Sequence, residues 1–129
     1  MKFSLAFFCL ALTPYIAGAQ AILITDGNSL LGQCQLAVIS MEQRRPLTEA
    51  EEIEVGDVYG YIAGVMDGGQ AIEDANHVQR SYAIPPNVIL NQVVRIVKRF
   101  MEDNPRCLHL PAARIIVLAL KDAFPGGTH

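Results

Sequence analysis

Cys107 and His109 are the residues of this sequence best suited to form a nucleophile, because they place a thiol and an imidazole two positions apart. A neighbouring histidine can lower the pKa of a cysteine and generate a reactive thiolate. Side chains two positions apart on a helix do not face each other, however, and no third residue is placed to orient the imidazole. The sequence therefore predicts that the protein is not an enzyme.

A metal or cofactor site would also need residues that are scattered along the chain. Asp57 and Asp67 are ten positions apart, about 1000° around a helix, so they do not share a face as an acid–base pair must. The thiols and imidazoles that could bind a metal belong to Cys34, His77, Cys107 and His109. Structural zinc ligands usually come in two short pairs, which these four do not form. We predict no metal and no cofactor.

The N-terminus, residues 1–19, has the composition of an export signal. Lys2 gives it a positive start, residues 3–12 form an apolar run, and residues 17–19 are an Ala-Gly-Ala cleavage site. A membrane anchor is the alternative, but about 14 apolar residues are fewer than the roughly 20 that span a bilayer. We predict a cleaved signal peptide over residues 1–19, a single mature domain over residues 20–129, and no membrane contact after cleavage.

The mature chain is mildly acidic, because loss of Lys2 takes the net charge from −3 to −4. Nucleic-acid binding depends on positive charge that neutralises phosphates, so we predict no nucleic-acid partner. Two cysteines, Cys34 and Cys107, remain after cleavage. Export would place them in an oxidising compartment, but only geometry decides whether they form a disulfide or stay free.

Residues 56–70 carry the strongest pattern of the chain. Four glycines recur at every fourth position and form what we call the glycine row: Gly56, Gly60, Gly64 and Gly68. Apolar residues recur between them at helical spacing, so both patterns predict one helix. Each interior glycine costs about 0.8 to 1 kcal/mol relative to alanine, which a neighbour packed closely on the bare backbone would offset. We therefore expect the glycine row to pack against the apolar face of residues 89–101.

Four helices account for most of the mature chain. The first should begin near Asp26 and Ser29, and the second near Thr48, which forms a capping-box pattern with Glu51. The third covers residues 88–103, and the fourth begins near Pro111. Residues 76–87 lack periodicity and read as a connection, with room for a short extra helix. No strand alternation is present, so we predict an all-α compact bundle.

Four segments of the sequence together suggest a family. They are YIAGVMDG at residues 61–68, YAIPPNV at residues 82–88, NQVVRIVKRFMEDNP at residues 91–105 and HLPAARIIVLALKDAFP at residues 109–125. In order and spacing they resemble the periplasmic immunity proteins of the Rap/Tai kind, which protect bacteria from peptidoglycan amidases delivered by type VI secretion. The resemblance implies a periplasmic, helical, non-enzymatic protein that is commonly a homodimer. It also implies that the protein inhibits an amidase toxin by blocking its active-site groove.

The cysteines depart from the family pattern. Family members often have cysteines at the positions that correspond to Tyr59, Ala83 and Gly126. The helix-one cysteine, matched by Cys34, has thus lost the partner that the resemblance implies, whereas Cys107 is additional. A bond between Cys34 and Cys107, a bond between chains and no bond are all open.

The connection is the candidate partner-binding segment, because interfaces are enriched in tyrosine and arginine. Its polar and aromatic residues are Asn76, His77, Gln79, Arg80 and Tyr82. A second candidate is the basic patch of Arg95, Lys98 and Arg99. A general periplasmic chaperone without a toxin partner is the alternative function.

Overall fold

Four α-helices and one short 3₁₀ helix make up the fold in the computed structural model, which describes residues 23–126. The α-helices are α1 (Gly27–Met41), α2 (Glu49–Ala75), α3 (Leu90–Asp103) and α4 (Ala112–Ala123), and the 3₁₀ helix is Pro105–Cys107. Between residues 23 and 126 the only β-type pairing consists of two isolated bridges. The predicted all-α bundle is confirmed. The predicted signal peptide lies outside the described residues.

The helices begin where their local capping signals place them. Asp26 accepts a hydrogen bond from the backbone of Ser29 at 3.0 Å and starts α1. Thr48 and Glu51 bond reciprocally to each other's backbone N–H groups at the start of α2. Such capping boxes satisfy donors that have no partner within the helix. The predicted starts of α1 and α2 are therefore confirmed.

The core lies between the four α-helices. α1 packs on α2 and α3, and α3 packs on α4. The largest fully buried side chains are Leu30, Val58, Ile62, Val93, Val94, Val97, Met101, Ile115, Ile116 and Leu120. Only two of them come from α2, although α2 has 27 residues and is the longest helix of the described chain. At 1.5 Å per residue α2 is about 40 Å long, and much of it faces solvent.

The connection between α2 and α3 contains no helix within residues 76–89, so the short extra helix for which the sequence left room is not formed there. The short 3₁₀ helix is found instead after α3, where Pro105 occupies its first position. Pro85 and Pro86 have no backbone N–H, so the connection lacks two hydrogen-bond donors that a helix would use. A proline also disfavours the α-helical backbone conformation of the residue before it. Among residues 23–126, no helix combines the length and apolarity that crossing a membrane requires.

Candidate partner-binding surface

Residues 76–81, which we call the wedge, form the exposed segment that follows α2. Four of the five predicted binding residues lie in it, and all four are exposed: Asn76, His77, Gln79 and Arg80. Asn76 ends α2, and its side chain donates to the carbonyl of Ile72 at 2.7 Å. The structure thus brings four predicted residues together on one solvent-facing segment.

His77 gives the wedge its change of direction. Its φ is 53°, in the left-handed region that glycine usually occupies just after a helix. The backbone N–H groups of His77 and Val78 donate to the carbonyls of Asp74 and Glu73 at 3.2 and 3.0 Å. These bonds satisfy the last carbonyls of α2 and turn the chain out of the helix.

Polar contacts with the end of α2 fix the C-terminal residues of the wedge, Arg80 and Ser81. Arg80 Nη2 donates to both carboxylate oxygens of Asp74, at 2.8 and 2.9 Å. The backbone N–H of Ser81 donates to Glu73 Oε1 at 3.0 Å. The side-chain hydrogen bond from Ser81 is the main cause of the lowered pKa of Glu73, which keeps this carboxylate ionised. The wedge is therefore tied to α2 at both of its ends.

Tyr82 is a correction to the predicted binding residues, because only 5% of it is exposed. Its side chain belongs to the core, and its hydroxyl lies beside Gly69 of α2. Burial raises its pKa, with the negative charge of Glu73 as a smaller cause. Tyr82 pairs with Pro125 in an isolated bridge, and Ala83 donates to the carbonyl of Phe124 at 3.0 Å. Tyr82 thus anchors the wedge and is not available to a partner.

Two exposed apolar residues of this surface were missed by the sequence analysis. Val78 in the wedge is 56% exposed, and Ile72 in the last turn of α2 is 64% exposed. A single exposed apolar residue is common on protein surfaces, and exposed apolar residues indicate an interaction site only where they form a patch. Val78 and Ile72 are therefore the apolar side chains that this surface offers to a partner. The aperiodic sequence around Val78 was the available signal, since no helical or strand pattern assigns this valine to the core.

Each cation of the basic patch on α3 forms an ion pair with a carboxylate of the same chain. Arg95 donates to Glu42 at 2.9 Å, and Lys98 donates to Glu102 at 2.7 Å. Arg99 forms an ion pair with Asp103 at 3.6 Å. The Arg95 hydrogen bond is the main cause of the lowered pKa of Glu42. These pairs make the three cations a solvated face of the bundle.

The glycine row does not pack against α3, so the predicted packing partner of these glycines is wrong. All four glycines are exposed, and a Cβ added to any of them would meet nothing within 4 Å. Val58 and Ile62 are the buried residues of this part of α2, and each lies two positions, about 200°, from the glycines on either side of it. Because the apolar residues face the core, the glycines must face away from it.

The two cysteines are free, which decides the open alternatives against a bond within the chain. Cys34 is buried in the middle of α1, and burial raises its pKa to about 12. Cys107 is half-buried and lies next to Leu108, which contacts Gly27 and Asn28 at the start of α1. Cys34 is seven positions beyond Gly27, about 10 Å along the helix, too far for the short Cα separation of a disulfide.

The fold and this surface describe a small helical domain that presents an anchored polar segment. A comparison with protein families gives its class: the family model described as Rap1a immunity proteins matches residues 26–126. The chain belongs to the Rap1a immunity protein family, which implies a toxin-immunity function and a toxin as its partner. The resemblance read from the sequence is thus confirmed at the level of the family. The chain has no significant match among curated proteins or among solved structures.

Proposed function

We propose that this chain is a periplasmic immunity protein that binds a type VI secreted peptidoglycan amidase and occludes its active-site groove. The observation that carries the proposal is the wedge, which exposes Val78 while Arg80 and Ser81 tie it to the end of α2. A segment that is already ordered loses little conformational freedom when it enters a groove. An immunity protein with such a segment can block a cleft without chemistry of its own.

In the proposed complex, Val78 enters the groove and the polar wedge residues line its rim. Burial of an exposed valine side chain contributes about 1.5 kcal/mol or more. His77, Gln79 and Asn76 supply donors and acceptors for the edges of the groove. Peptide substrate is then excluded by volume, without any chemical change to the amidase.

Co-expression in the periplasm tests this function. Cells that export an amidase toxin from a neighbouring gene to the periplasm should lyse without the chain and survive with it. Val78→Asp should lower protection, because a carboxylate would have to be desolvated in the groove. Arg114→Ala, an exposed change on α4, is the matched control and should protect fully. If no neighbouring amidase is neutralised by the unchanged chain, the proposed function is wrong.

We also propose that two copies of the chain associate through the outer face of α2. The glycine row ends in two exposed isoleucines, Ile53 at 59% and Ile72 at 64% exposure. Two antiparallel copies of this face would place Ile53 of one beside Ile72 of the other, as a two-fold interface requires. The bare backbones of Gly60 and Gly64 would allow a close crossing at the centre.

Sedimentation of the mature chain tests this association. The unchanged chain should sediment as a dimer, and Gly64→Leu should sediment as a folded monomer because the added side chain blocks the crossing. Gly32→Leu on α1, also exposed and open, is the control and should remain dimeric. A dimer that persists in Gly64→Leu would place the interface elsewhere.

A further inference from the structure

An open cleft of about 360 Å³ lies along one side of the wedge, next to the end of α4. Its lining residues are Gln79, Arg80, Ser81, Lys121, Pro125 and Gly126. The wedge forms one wall, Lys121 on α4 forms another, and the two residues after Phe124 form the floor. The cleft therefore borders the segment to which the proposed function assigns toxin binding.

Backbone contacts fix the shape of this cleft. The Tyr82 and Pro125 bridge and the bond from Ala83 to Phe124 join the floor to the wedge. Gly126 packs so closely on the carbonyl of Arg80 that an added Cβ would collide with it. This close approach holds Gly126 against the backbone of Arg80 and Ser81 in the wedge.

The charged groups at and beside the cleft differ in whether they already have a bonding partner. Both carboxylate oxygens of Asp74 accept from Arg80, and Glu73 accepts from the backbone N–H of Ser81. Lys121 is exposed and forms no ion pair within residues 23–126, and its effect on Glu73 is only a weak electrostatic one. The ammonium group of Lys121 is therefore the charge of this cleft that remains for a ligand.

We propose that Lys121 binds a carboxylate of the toxin, supplied by an aspartate or glutamate beside its groove, when the wedge is inserted. This inference rests on the proposed function and adds the chemistry of the partner surface. A lysine suits such a role as a compact charge with three donors, and charge pairs at an interface set specificity and association rate. The cleft would thus select an amidase with an acidic rim over one with a basic rim.

Affinity measurements with the amidase that the unchanged chain neutralises test the role of Lys121. Lys121→Gln should raise the dissociation constant about tenfold, and Lys121→Arg should restore most of the affinity. Binding by the unchanged chain should weaken with salt, and Lys121→Gln should show a smaller salt dependence. Arg114→Gln removes another cation of α4 that has no ion pair in the described residues, and it should bind as the unchanged chain does.

The outcomes separate the two proposals. If the amidase binds and Lys121→Gln has the affinity and salt dependence of the unchanged chain, the carboxylate site is wrong and the occlusion function stands. An equal loss in Lys121→Gln and Arg114→Gln would show a general charge effect and would also overturn the site. If the unchanged chain binds no neighbouring amidase, both proposals fail. Thermal unfolding of each variant shows whether a loss of binding is a loss of fold.

Discussion

Glycines occupy two opposite environments in this domain. At Gly27 an added Cβ would lie 2.5 Å from Ile115 Cδ1 and 2.6 Å from the Cα of Leu108, whereas the glycine row of α2 meets nothing within 4 Å. Gly27 is required where the start of α1 touches the segment that precedes α4. The glycine row serves no contact within the described chain. A glycine pattern alone therefore does not show that a helix is central.

The largest effect is expected at the crowded site. Gly27→Ala should lower the free energy of unfolding by about 2 to 3 kcal/mol, because the backbone of Leu108 would have to move and the change cannot be absorbed by a side chain alone. Thermal unfolding should show a decrease in Tm of roughly 10 °C. Gly32→Ala on the same helix has open space and is the matched control. Equal stability of the two variants would contradict the comparison.

Gly126→Ala should have a smaller but more local effect. Its Cβ would collide with the carbonyl of Arg80, yet Gly126 lies beyond α4 and is only half-buried, whereas Gly27 is buried. We expect a loss of about 1 to 2 kcal/mol. Hydrogen exchange should locate it: the amide of Ala83, which donates to Phe124, should lose protection while core amides of α3 keep theirs. A uniform loss of protection would show that the wedge anchor is not a separate unit.

The glycine row should respond in the opposite direction. Gly60→Ala and Gly64→Ala should each raise the stability of the isolated monomer by about 0.5 to 1 kcal/mol, because alanine favours the helix and the space is open. Chemical unfolding at low protein concentration measures the monomer, and the change should be nearly additive. A destabilised Gly64→Ala monomer would restore the view that this row packs within the chain.

The sequence predicted those parts of the fold that depend on local interactions. The capping residues Asp26 and Thr48 place helix starts because their partners lie three positions away. The orientation of α2 was also present in the pattern, since Ile62 and the neighbouring glycines cannot share a face. The wrong prediction came from giving the cost of the glycines more weight than the positions of the apolar residues.

The candidate surface was predicted only in part, because its limits depend on contacts between distant residues. Tyr82 is buried through its bridge to Pro125, which lies 43 positions along the chain. The separation of Cys34 and Cys107 follows from where the segment after α3 meets α1. To predict that Val78 is exposed, one would have to know that no distant element of the fold covers it. None of these facts is contained in local spacing.

The smallest expected effect concerns the first turn of α2. It shows whether contacts of this turn, and not the glycine row, stabilise the helix. Arg45 donates to both oxygens of Glu51 at 2.8 and 2.6 Å, and Glu51 also accepts from Thr48. The Arg45 hydrogen bonds are the main cause that lowers the pKa of Glu51 to about 2. Because the folded pKa lies below the ordinary value near 4.3, this stabilisation is present above that pH and is lost as pH falls towards 2.

Glu51→Gln should therefore reduce stability slightly at pH 7 and have little effect near pH 2. The matched control is Glu49→Gln, since Glu49 also lies in the first turn of α2 but forms none of the described hydrogen bonds or ion pairs. Thermal unfolding of both variants between pH 2 and pH 7 measures the difference. If the two variants lose stability in parallel, the charge of the helix start matters and the Arg45 contact does not. If only Glu51→Gln changes, α2 is stabilised by a specific anchor at its N-terminus, while the glycine row remains free for contacts outside the chain.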